Sequence, residues 1–168
     1  RFELLVENAL ITGSIDLLLK EDETKNINAA EVIDFKSMEV PDDLEKFDWR
    51  EMSLQVQLYS RAAKEVIGEN AETGYVHTLK NNKRIEVPVD KNSVKNAMGA
   101  IEWAVKGILE DDFPMRACST NCKDCDYRAM CRQERESFIR KELPPVINTP
   151  VGERVIAAFE EKDGELQV

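Results

Sequence analysis

The sequence has no hydrophobic run near the roughly 18 residues that a membrane-spanning helix needs, and it has no signal-peptide pattern. We therefore expect an intracellular, cytoplasmic protein with no membrane partner. Basic residues are also scarce, since 23 Lys and Arg stand against 33 Asp and Glu, a net charge of −10. This argues against non-specific binding of a polyanion across the whole surface, because phosphate contacts need clustered Lys or Arg. A compact site in which metal ions neutralise a phosphate is still allowed.

Histidine and aromatic residues are few, which limits the kinds of site that the chain can build. His77 is the only histidine, and because it lies in a strand pattern we expect it to be structural. Aromatic residues make up 7% of the chain. Trp49 and Trp103 fit helix packing, so we interpret them as core or surface cover rather than as stacking platforms for bases.

The length limits the domain count. With 168 residues, of which 42% are apolar, the chain can build one core rather than two. It begins at Arg1 inside an extended apolar pattern and without an initiator methionine. We therefore expect it to be part of a longer protein.

Two β-rich runs are each interrupted by a single carboxylate. The first is Ile11-Thr-Gly-Ser-Ile-Asp16 and the second is Glu31-Val-Ile-Asp34-Phe-Lys36. Strand side chains alternate between faces, so Asp34 and Lys36 project from the same side of one strand. The turn-forming stretch between the runs lets the strands lie side by side, which brings Asp16 to the same sheet surface. An isolated Asp-x-Lys would by itself favour a solvated strand face over a site, but the Gly-x-Ile-Asp block shifts the balance toward a site.

Apolar periodicity and turn residues predict strands and helices in the order βββαββα. This order implies an α/β fold with a central mixed β-sheet flanked by helices. The strands are predicted at Phe2–Val6, Ala9–Leu19, the run ending at Lys36, Thr73–Leu79 and Arg84–Val89, and the helices at Asp48–Ile67 and Ser93–Glu110.

The first predicted helix has two different faces. Asp48 is suited to cap its start, and Gly68 is placed to end it. The loop before it, residues 37–47, lies beside the carboxylates and is a candidate gate. One helix face packs and the next is available for a site. The packing stripe is Leu54, Leu58, Ala62 and Val66, and the adjacent stripe is Gln55, Tyr59 and Ala63.

All four cysteines of the chain fall in one short segment, and none lies elsewhere to pair with them. In an intracellular protein, thiols this close are metal ligands more often than disulfides, because reducing conditions remove disulfides. Four thiolates suit either a tetrahedral zinc or an iron–sulfur cluster. The spacing departs from the paired Cys-x-x-Cys scheme of zinc ribbons, which favours a cluster modestly. The cysteines are Cys118, Cys122, Cys125 and Cys131.

Four motifs follow one another in order, and together they are more specific than any one of them. They resemble the RecB-like branch of the PD-(D/E)XK nucleases, which includes AddAB-type helicase–nuclease domains and the CRISPR adaptation nucleases that carry an iron–sulfur cluster. The resemblance covers residues 2–132 and implies a restriction-endonuclease-like fold. The motifs are Gly13-Ser-Ile-Asp16, Asp34-Phe-Lys36, Gln55-x-x-x-Tyr59 and Cys122-x-x-Cys125-x5-Cys131.

The resemblance also implies roles for individual residues. Asp16 and Asp34 would bind Mg²⁺ or Mn²⁺, with the backbone carbonyl of Phe35 as a further ligand. Lys36 would orient or activate the attacking water and stabilise charge on the phosphate. Divalent ions held by carboxylates supply the hydroxide and the counter-charge that phosphodiester hydrolysis needs. The residues implied to position the site or the DNA strand are Gln55 and Tyr59.

Two features depart from the pattern of the family. Relatives in this branch usually carry a histidine on a helix upstream of the Gly-x-Ile-Asp block, and this chain starts too late to contain it. In cluster-bearing relatives one cysteine usually lies far upstream and three lie downstream. Here Cys118 either replaces the upstream ligand of a [4Fe–4S] cluster or is spare. Zn²⁺ stays the alternative occupant.

The resemblance ends after Arg132. We therefore expect a nuclease domain at residues 1–132, which includes the cysteine segment 118–131, and a C-terminal extension at residues 133–168. Within the extension, Thr149-Pro150 is suited to cap a helix through residue 159. A hairpin across residues 155–168 fits equally well, and the sequence leaves both open.

These observations predict a metal-dependent deoxyribonuclease that acts exonucleolytically on single-stranded DNA ends. We expect it to belong to a DNA repair or helicase–nuclease protein, with a helicase domain in the same polypeptide or complex. The alternative is a catalytically inactive DNA-binding or scaffold module with a structural iron–sulfur or zinc site. Inactive relatives typically lose the acidic residues or the lysine, and both are present here, so the enzyme is favoured.

Overall fold

The computed structural model describes residues 1–20, 30–112, 126, 145–155, 161–162 and 165–166. Its centre is a four-stranded mixed sheet in the spatial order β3-β4-β5-β6. The two middle strands are parallel, and each outer strand is antiparallel to its neighbour. The strands are β3 (Leu17–Leu19), β4 (Ala30–Lys36), β5 (Ala71–Thr78) and β6 (Lys83–Val87).

A separate antiparallel ribbon precedes this sheet and consists of β1 (Phe2–Val6) and β2 (Ala9–Gly13). The sequence predicted one continuous strand from residue 9 to residue 19, and this prediction is wrong. β2 ends at Gly13, where a Cβ atom would lie 2.5 Å from the Phe2 ring. β3 then starts four residues later and pairs with β4 instead of β1. The chain therefore changes sheets between the two strands, and Asp16 lies in the break.

Two long helices pack beside the sheet. The first, α1 (Arg50–Ala62), continues into a π-helical segment at Ala63–Ile67 and ends at Gly68, whose φ of 81° suits glycine. The second, α2 (Lys91–Leu109), is capped by Asp90, whose side chain accepts hydrogen bonds from two backbone N–H groups of the first turn. α1 connects the parallel strands β4 and β5, as parallel pairing requires.

The start of α1 differs from the prediction by one residue. Trp49 occupies the N-cap position, and Asp48 precedes it and accepts a hydrogen bond of 3.1 Å from the Arg50 backbone. Trp49 is 1% exposed, as its assignment to the core requires, and its indole N–H donates to the Leu44 carbonyl at 2.9 Å. A tertiary contact of the tryptophan therefore helps to set where the helix begins.

α1 is buried on more sides than an apolar stripe predicts. Ala62 of the predicted stripe is fully buried, whereas Val66 is 49% exposed. Val56 and the polar Gln57, on other sides of the helix, are both fully buried. The helix is enclosed because the sheet covers one side and a C-terminal hairpin covers another.

That hairpin consists of β7 (Val146–Thr149) and β8 (Gly152–Val155). β7 packs against α1 and α2, and its Ile147 is fully buried. Residues 152–155 are therefore a strand, not the start of a capped helix. Further along, β9 (Glu161–Lys162) and β10 (Glu165–Leu166) pair antiparallel, as the hairpin alternative predicted. The boundary between a domain at 1–132 and an extension stays a prediction.

The predicted fold class is confirmed, with a mixed central sheet flanked by helices. None of the helices in the described part of the chain is long and apolar enough to cross a membrane. The four cysteines lie outside the described residues, so their predicted ligation stays a prediction.

Gly74 of β5 lies close against α1, and we predict that Gly74→Ala destabilises the fold. An added Cβ would lie 2.6 Å from Val56 Cγ1 on α1 and 2.5 Å from Val89 Cγ1. Forcing these elements apart costs about 1–3 kcal/mol. Urea unfolding measures the difference.

The matched control is Gly99→Ala in α2. No described atom outside the immediate helix backbone lies within 4 Å of an added Cβ there. Alanine favours a helix over glycine by about 1 kcal/mol, so this variant should be at least as stable as the wild type. Equal stability of both variants would contradict the close packing at Gly74.

Candidate active site

Asp34 is the buried acidic residue at the centre of the candidate site. It follows Val32 at a spacing of two on β4, so both side chains face α1. Val32 packs in the core cluster that contains Tyr59 of α1. Asp34 is only 1% exposed, and its Oδ1 atom has no hydrogen-bond donor among the described residues. A buried carboxylate oxygen without a donor costs free energy, which is typical of a group that binds a ligand.

Lys36 joins this carboxylate to the helix. Its Nζ atom lies 2.8 Å from Asp34 Oδ2 and donates to Gln55 Oε1 at 2.7 Å. Gln55 Nε2 in turn donates to the Tyr59 hydroxyl oxygen at 2.7 Å. Gln55 and Tyr59 meet because residues four apart lie one above the other on a helix. The four side chains therefore form one polar chain from the sheet to α1.

Asp16 reaches the same strand from the break between β2 and β3. Its Oδ2 atom accepts a hydrogen bond of 3.0 Å from the backbone N–H of Phe35. The pairing of Leu17 with Ile33 sets this position, because it places the end of the break beside the end of β4. Asp16 is exposed, whereas Asp34 is buried. Its charge is nevertheless close enough to act on Asp34.

Burial raises the pKa of Asp34 above the ordinary range of a carboxyl group. The hydrogen bond and the positive charge of Lys36 lower this pKa, and the negative charge of Asp16 raises it again. The effect of burial is the largest, so the net direction is upward. A divalent cation between the two carboxylates would relieve both their repulsion and the cost of burying the charge.

The donor set suits a hard divalent cation. Within the ranges that the structure describes, no three His, Cys, Asp or Glu side chains come together as a metal site. Mg²⁺ is commonly held by one or two carboxylates and keeps several waters, so a pair of aspartates fits it. Asp34 supplies an oxygen without a donor, and Asp16 Oδ1 carries no hydrogen bond from the described residues. Oxygen ligands of this kind favour Mg²⁺ or Mn²⁺ over softer metals.

The family model described as the PD-(D/E)XK nuclease superfamily matches residues 1–132. The chain belongs to the PD-(D/E)XK nuclease superfamily. Its members are typically metal-dependent nucleases that use Mg²⁺ or Mn²⁺, so the family supports a nuclease function with DNA as the substrate. A search of curated proteins found no match.

The nuclease domain holds the loop before α1 at several points. Asn81 Nδ2 donates to the carbonyl of the buried Val40 at 3.0 Å. Lys83 forms an ion pair with Asp42. The sequence suggested this loop, residues 37–47, as a gate. These contacts connect it to the β5–β6 turn.

His77 lies among neighbours that fit a structural role in the nuclease domain. Its ring packs edge-on against Phe35 with the centroids 5.4 Å apart. Its Nε2 atom lies 3.1 Å from Asn82 Oδ1. Both contacts follow from its register beside Phe35 and from the turn that follows β5.

One buried polar residue near the site had no role in the sequence analysis. Gln57 of α1 is fully buried and donates to two backbone carbonyls. It lies two residues beyond Gln55, and on a helix such a position faces the opposite side. A glutamine outside the apolar stripe is typical of a solvated face, so the sequence holds no signal that separates Gln57 from a surface residue.

The raised pKa of Asp34 predicts a pH-dependent stability when divalent ions are removed with EDTA. The folded-state pKa lies above the unfolded-state value, so the folded protein binds this proton more tightly. The resulting stabilisation is fully present below the unfolded-state pKa and is lost as the pH rises through the folded-state pKa. Asp34→Asn carries no such charge, so we expect it to unfold at a higher temperature than the wild type at neutral pH.

Thermal unfolding in EDTA across the acidic to neutral range measures this difference. The gap between the Asp34→Asn variant and the wild type should widen as the pH rises. Saturating Mg²⁺ should narrow it, because the ion binds only the wild-type carboxylate strongly. If Asp34→Asn is less stable than the wild type at neutral pH, then the stabilisation from the contact of Asp34 with Lys36 is larger than the cost of burying the Asp34 charge.

Proposed function

We propose that this chain is the catalytic domain of a Mg²⁺- or Mn²⁺-dependent deoxyribonuclease of the RecB-like type. The observation that carries this proposal is the contact of Lys36 with both Asp34 and Gln55, at 2.8 Å and 2.7 Å. An inactive scaffold has no reason to keep a buried carboxylate beside an ordered lysine, since both groups are costly to bury.

Asp16 and Asp34 would hold the divalent ion, with the Phe35 carbonyl as a further oxygen ligand. When bound, such an ion would lower the pKa of a bound water molecule and would supply positive charge to balance the charge of the phosphate. The aspartates themselves bring the two negative charges that attract the ion to the end of β4. Asp34 is 1% exposed, so solvent has almost no access to that side of the site.

Lys36 is the residue that would act on the reacting groups. Water attacks phosphorus, a new P–O bond forms, and the P–O bond to one sugar oxygen breaks. The water loses a proton and the leaving sugar oxygen gains one, so the products are a hydroxyl end and a phosphate end. A lysine ammonium group can donate hydrogen bonds to the water and to a phosphate oxygen as its charge grows.

Gln55 and Tyr59 would position Lys36. The amide oxygen of Gln55 accepts a hydrogen bond from one N–H of the Lys36 ammonium group, which leaves the other two N–H groups for Asp34 and the substrate. Tyr59 is 7% exposed and holds the amide of Gln55 in this orientation. The helix therefore sets the direction in which the ammonium group points.

The finer function that we propose is exonucleolytic cleavage of single-stranded ends, in a DNA repair or helicase–nuclease protein with a helicase partner. The order of the four sequence motifs supports this proposal. The test compares cleavage of linear and circular single-stranded DNA, and of linear duplex, with Mg²⁺ or Mn²⁺. Cutting of linear but not circular single strands supports it. Cutting of circles would indicate an endonuclease, and no cutting of any DNA would favour the inactive module.

We also propose that Cys118, Cys122, Cys125 and Cys131 bind one structural [4Fe–4S] cluster. Three of these positions follow the downstream spacing of cluster-bearing relatives, and Cys118 is close enough in sequence to supply the fourth ligand. Such ligation would order a segment with few apolar residues.

Anaerobic purification followed by iron and sulfide analysis tests the cluster. We expect about four irons and four sulfides per chain, as the cluster type requires. Stoichiometric zinc in a colourless protein would reject the cluster in favour of Zn²⁺, and absence of both metals would reject the site. Loss of the cluster should loosen this segment before it affects cleavage.

A further inference from the structure

Gln57 is the most buried large polar side chain of α1 and does not belong to the candidate active site. It is 0% exposed. Its Nε2 atom donates to the Pro88 carbonyl at 2.9 Å and to the Asn148 carbonyl at 2.7 Å. Both partners are acceptors, so the amide nitrogen must face them. One side chain therefore joins α1 to the end of β6 and to the hairpin β7–β8.

The hairpin packs against α2 and forms a hydrogen bond with it, so its position relative to the helices is fixed. Ile147 is fully buried and packs with Ala97 and Ala100 of α2. Asn96 Nδ2 of α2 donates to Asn148 Oδ1 at 2.8 Å. These contacts fix the position of the Asn148 carbonyl relative to α1 and α2.

A second group of contacts ties the hairpin to the loop that precedes α1. Arg154 of β8 forms an ion pair of 2.9 Å with Glu45. Val151, in the turn of the hairpin, packs against the core cluster that contains Trp49 at the start of α1. The hairpin therefore contacts the loop before α1 and the core beside the helix, as well as Gln57.

Gln55 and Gln57 hold α1 from opposite sides. Successive residues of a helix turn by about 100°, so side chains two positions apart diverge by about 200°. Gln55 faces Lys36 and the site, whereas Gln57 faces Pro88 and the hairpin. A shift or rotation of α1 that breaks one set of bonds must displace the other.

We propose that Gln57 is a positioning residue for the nuclease reaction, and that the hairpin β7–β8 is part of the catalytic unit. The hairpin lies beyond residues 1–132, the part that the family model matches. Gln57 acts through the helix: it sets the rotation and depth of α1, and these place Gln55 against Lys36. This inference rests on the proposed function where it is tested by the rate of DNA cleavage. Its second test, the NMR signals of the Gln55 side chain, does not depend on cleavage.

The test is Gln57→Met, which keeps the volume of the side chain and removes both N–H donors. In the full chain we expect kcat for DNA cleavage to fall about tenfold, since a displacement of about 1 Å can cost up to about a hundredfold. KM should stay within about twofold, because Gln57 faces Pro88 and the hairpin rather than the candidate site. Both constants are measured well below the melting temperature.

Val105→Ala is the matched control for a general loss of stability. Val105 is buried with Val6 and Ile101 in a cluster against which two leucines of α1 also pack, so the change removes core volume beside α1 without removing any hydrogen bond of that helix. We expect this variant to melt at a lower temperature with an unchanged kcat. If Gln57→Met also lowers only the melting temperature, then Gln57 is structural and the inference is overturned.

A readout without cleavage separates this inference from the proposed function. In two-dimensional NMR, the side-chain amide signals of Gln55 should shift in Gln57→Met and stay unchanged in Val105→Ala. If the wild type cuts no DNA, the proposed function fails and these signals alone decide the position of α1. Unchanged signals in Gln57→Met would overturn the inference.

Asn96→Ala replaces Gln57→Met if the latter does not fold. It removes the bond from α2 to the Asn148 side chain while leaving the core volume of α1 intact. We expect a smaller fall in kcat and a smaller shift of the Gln55 amide signals, in the same direction. A kcat and amide signals equal to those of the wild type would overturn the role of the hairpin.

Discussion

Asp34→Ala is expected to reduce Mg²⁺-dependent DNA cleavage below detection, because it removes the buried carboxylate at the centre of the site. The proposed reaction needs the divalent ion for both the nucleophile and the counter-charge, so losing a proposed principal ligand would remove both contributions. DNA binding should be retained, since association depends on the ion less than hydrolysis does. Cleavage assays and binding measured in Ca²⁺ separate the two effects.

Glu31→Gln is the matched control on the same strand. Glu31 lies three residues before Asp34, and its side chain forms an ion pair with Arg84 at 2.7 Å instead of entering the site. We expect this variant to cleave DNA at the wild-type rate. If Asp34→Ala retains the cleavage activity of the wild type, then Asp34 is not a metal ligand and the proposed mechanism is rejected.

Lys36→Ala is expected to slow cleavage by about a hundredfold or more, the range typical for the loss of one transition-state donor. Lys36 is positively charged and therefore does not serve as a ligand of a metal cation. Divalent metal binding should remain nearly intact in this variant. Single-turnover rates at saturating Mg²⁺ measure the chemical step, and calorimetry measures the metal affinity.

Gln55→Ala and Lys46→Ala provide the comparison for Lys36. Gln55 orients the ammonium group without contacting the proposed reacting atoms, so its loss should be milder than that of Lys36. Lys46 is a surface lysine, 76% exposed and paired only with Asp43 among the described ion pairs, and its loss should have no effect. A larger defect in Gln55→Ala than in Lys36→Ala would reverse the ranking of their roles.

Much of the fold was predictable because apolar periodicity reports local structure directly. The alternation along β4 placed Asp34 and Lys36 on one face, and the structure joins them at 2.8 Å. The helical spacing of Gln55 and Tyr59 likewise placed their side chains on one stripe, where they now form a hydrogen bond. Both pairs are close in sequence, so the backbone geometry of one element decides their contact.

Predictions failed where the answer depends on partners far away in the sequence. The break at residues 14–16 was missed because Ile15 continues the alternation of apolar residues along the run, and only the change of partner strand divides it. The β7–β8 hairpin was also missed as a core element. Short strands such as β7 and β8 are stabilised by packing against the surface that they cover. Here that surface includes the side of α1 that carries Gln57, which the sequence pattern does not separate from a solvated face.

The sequence by itself determined the two helices, the strands β4, β5 and β6, the faces on which Asp34, Lys36 and Gln55 lie, and the superfamily. These follow from spacing along one strand or one helix. Only the tertiary structure decided that Asp34 is buried with a raised pKa, that Lys36 meets Gln55 across 19 positions, and that Gln57 meets Asn148 across 91. Desolvation and long-range hydrogen bonds depend on which distant segments pack together, and no local pattern encodes that choice.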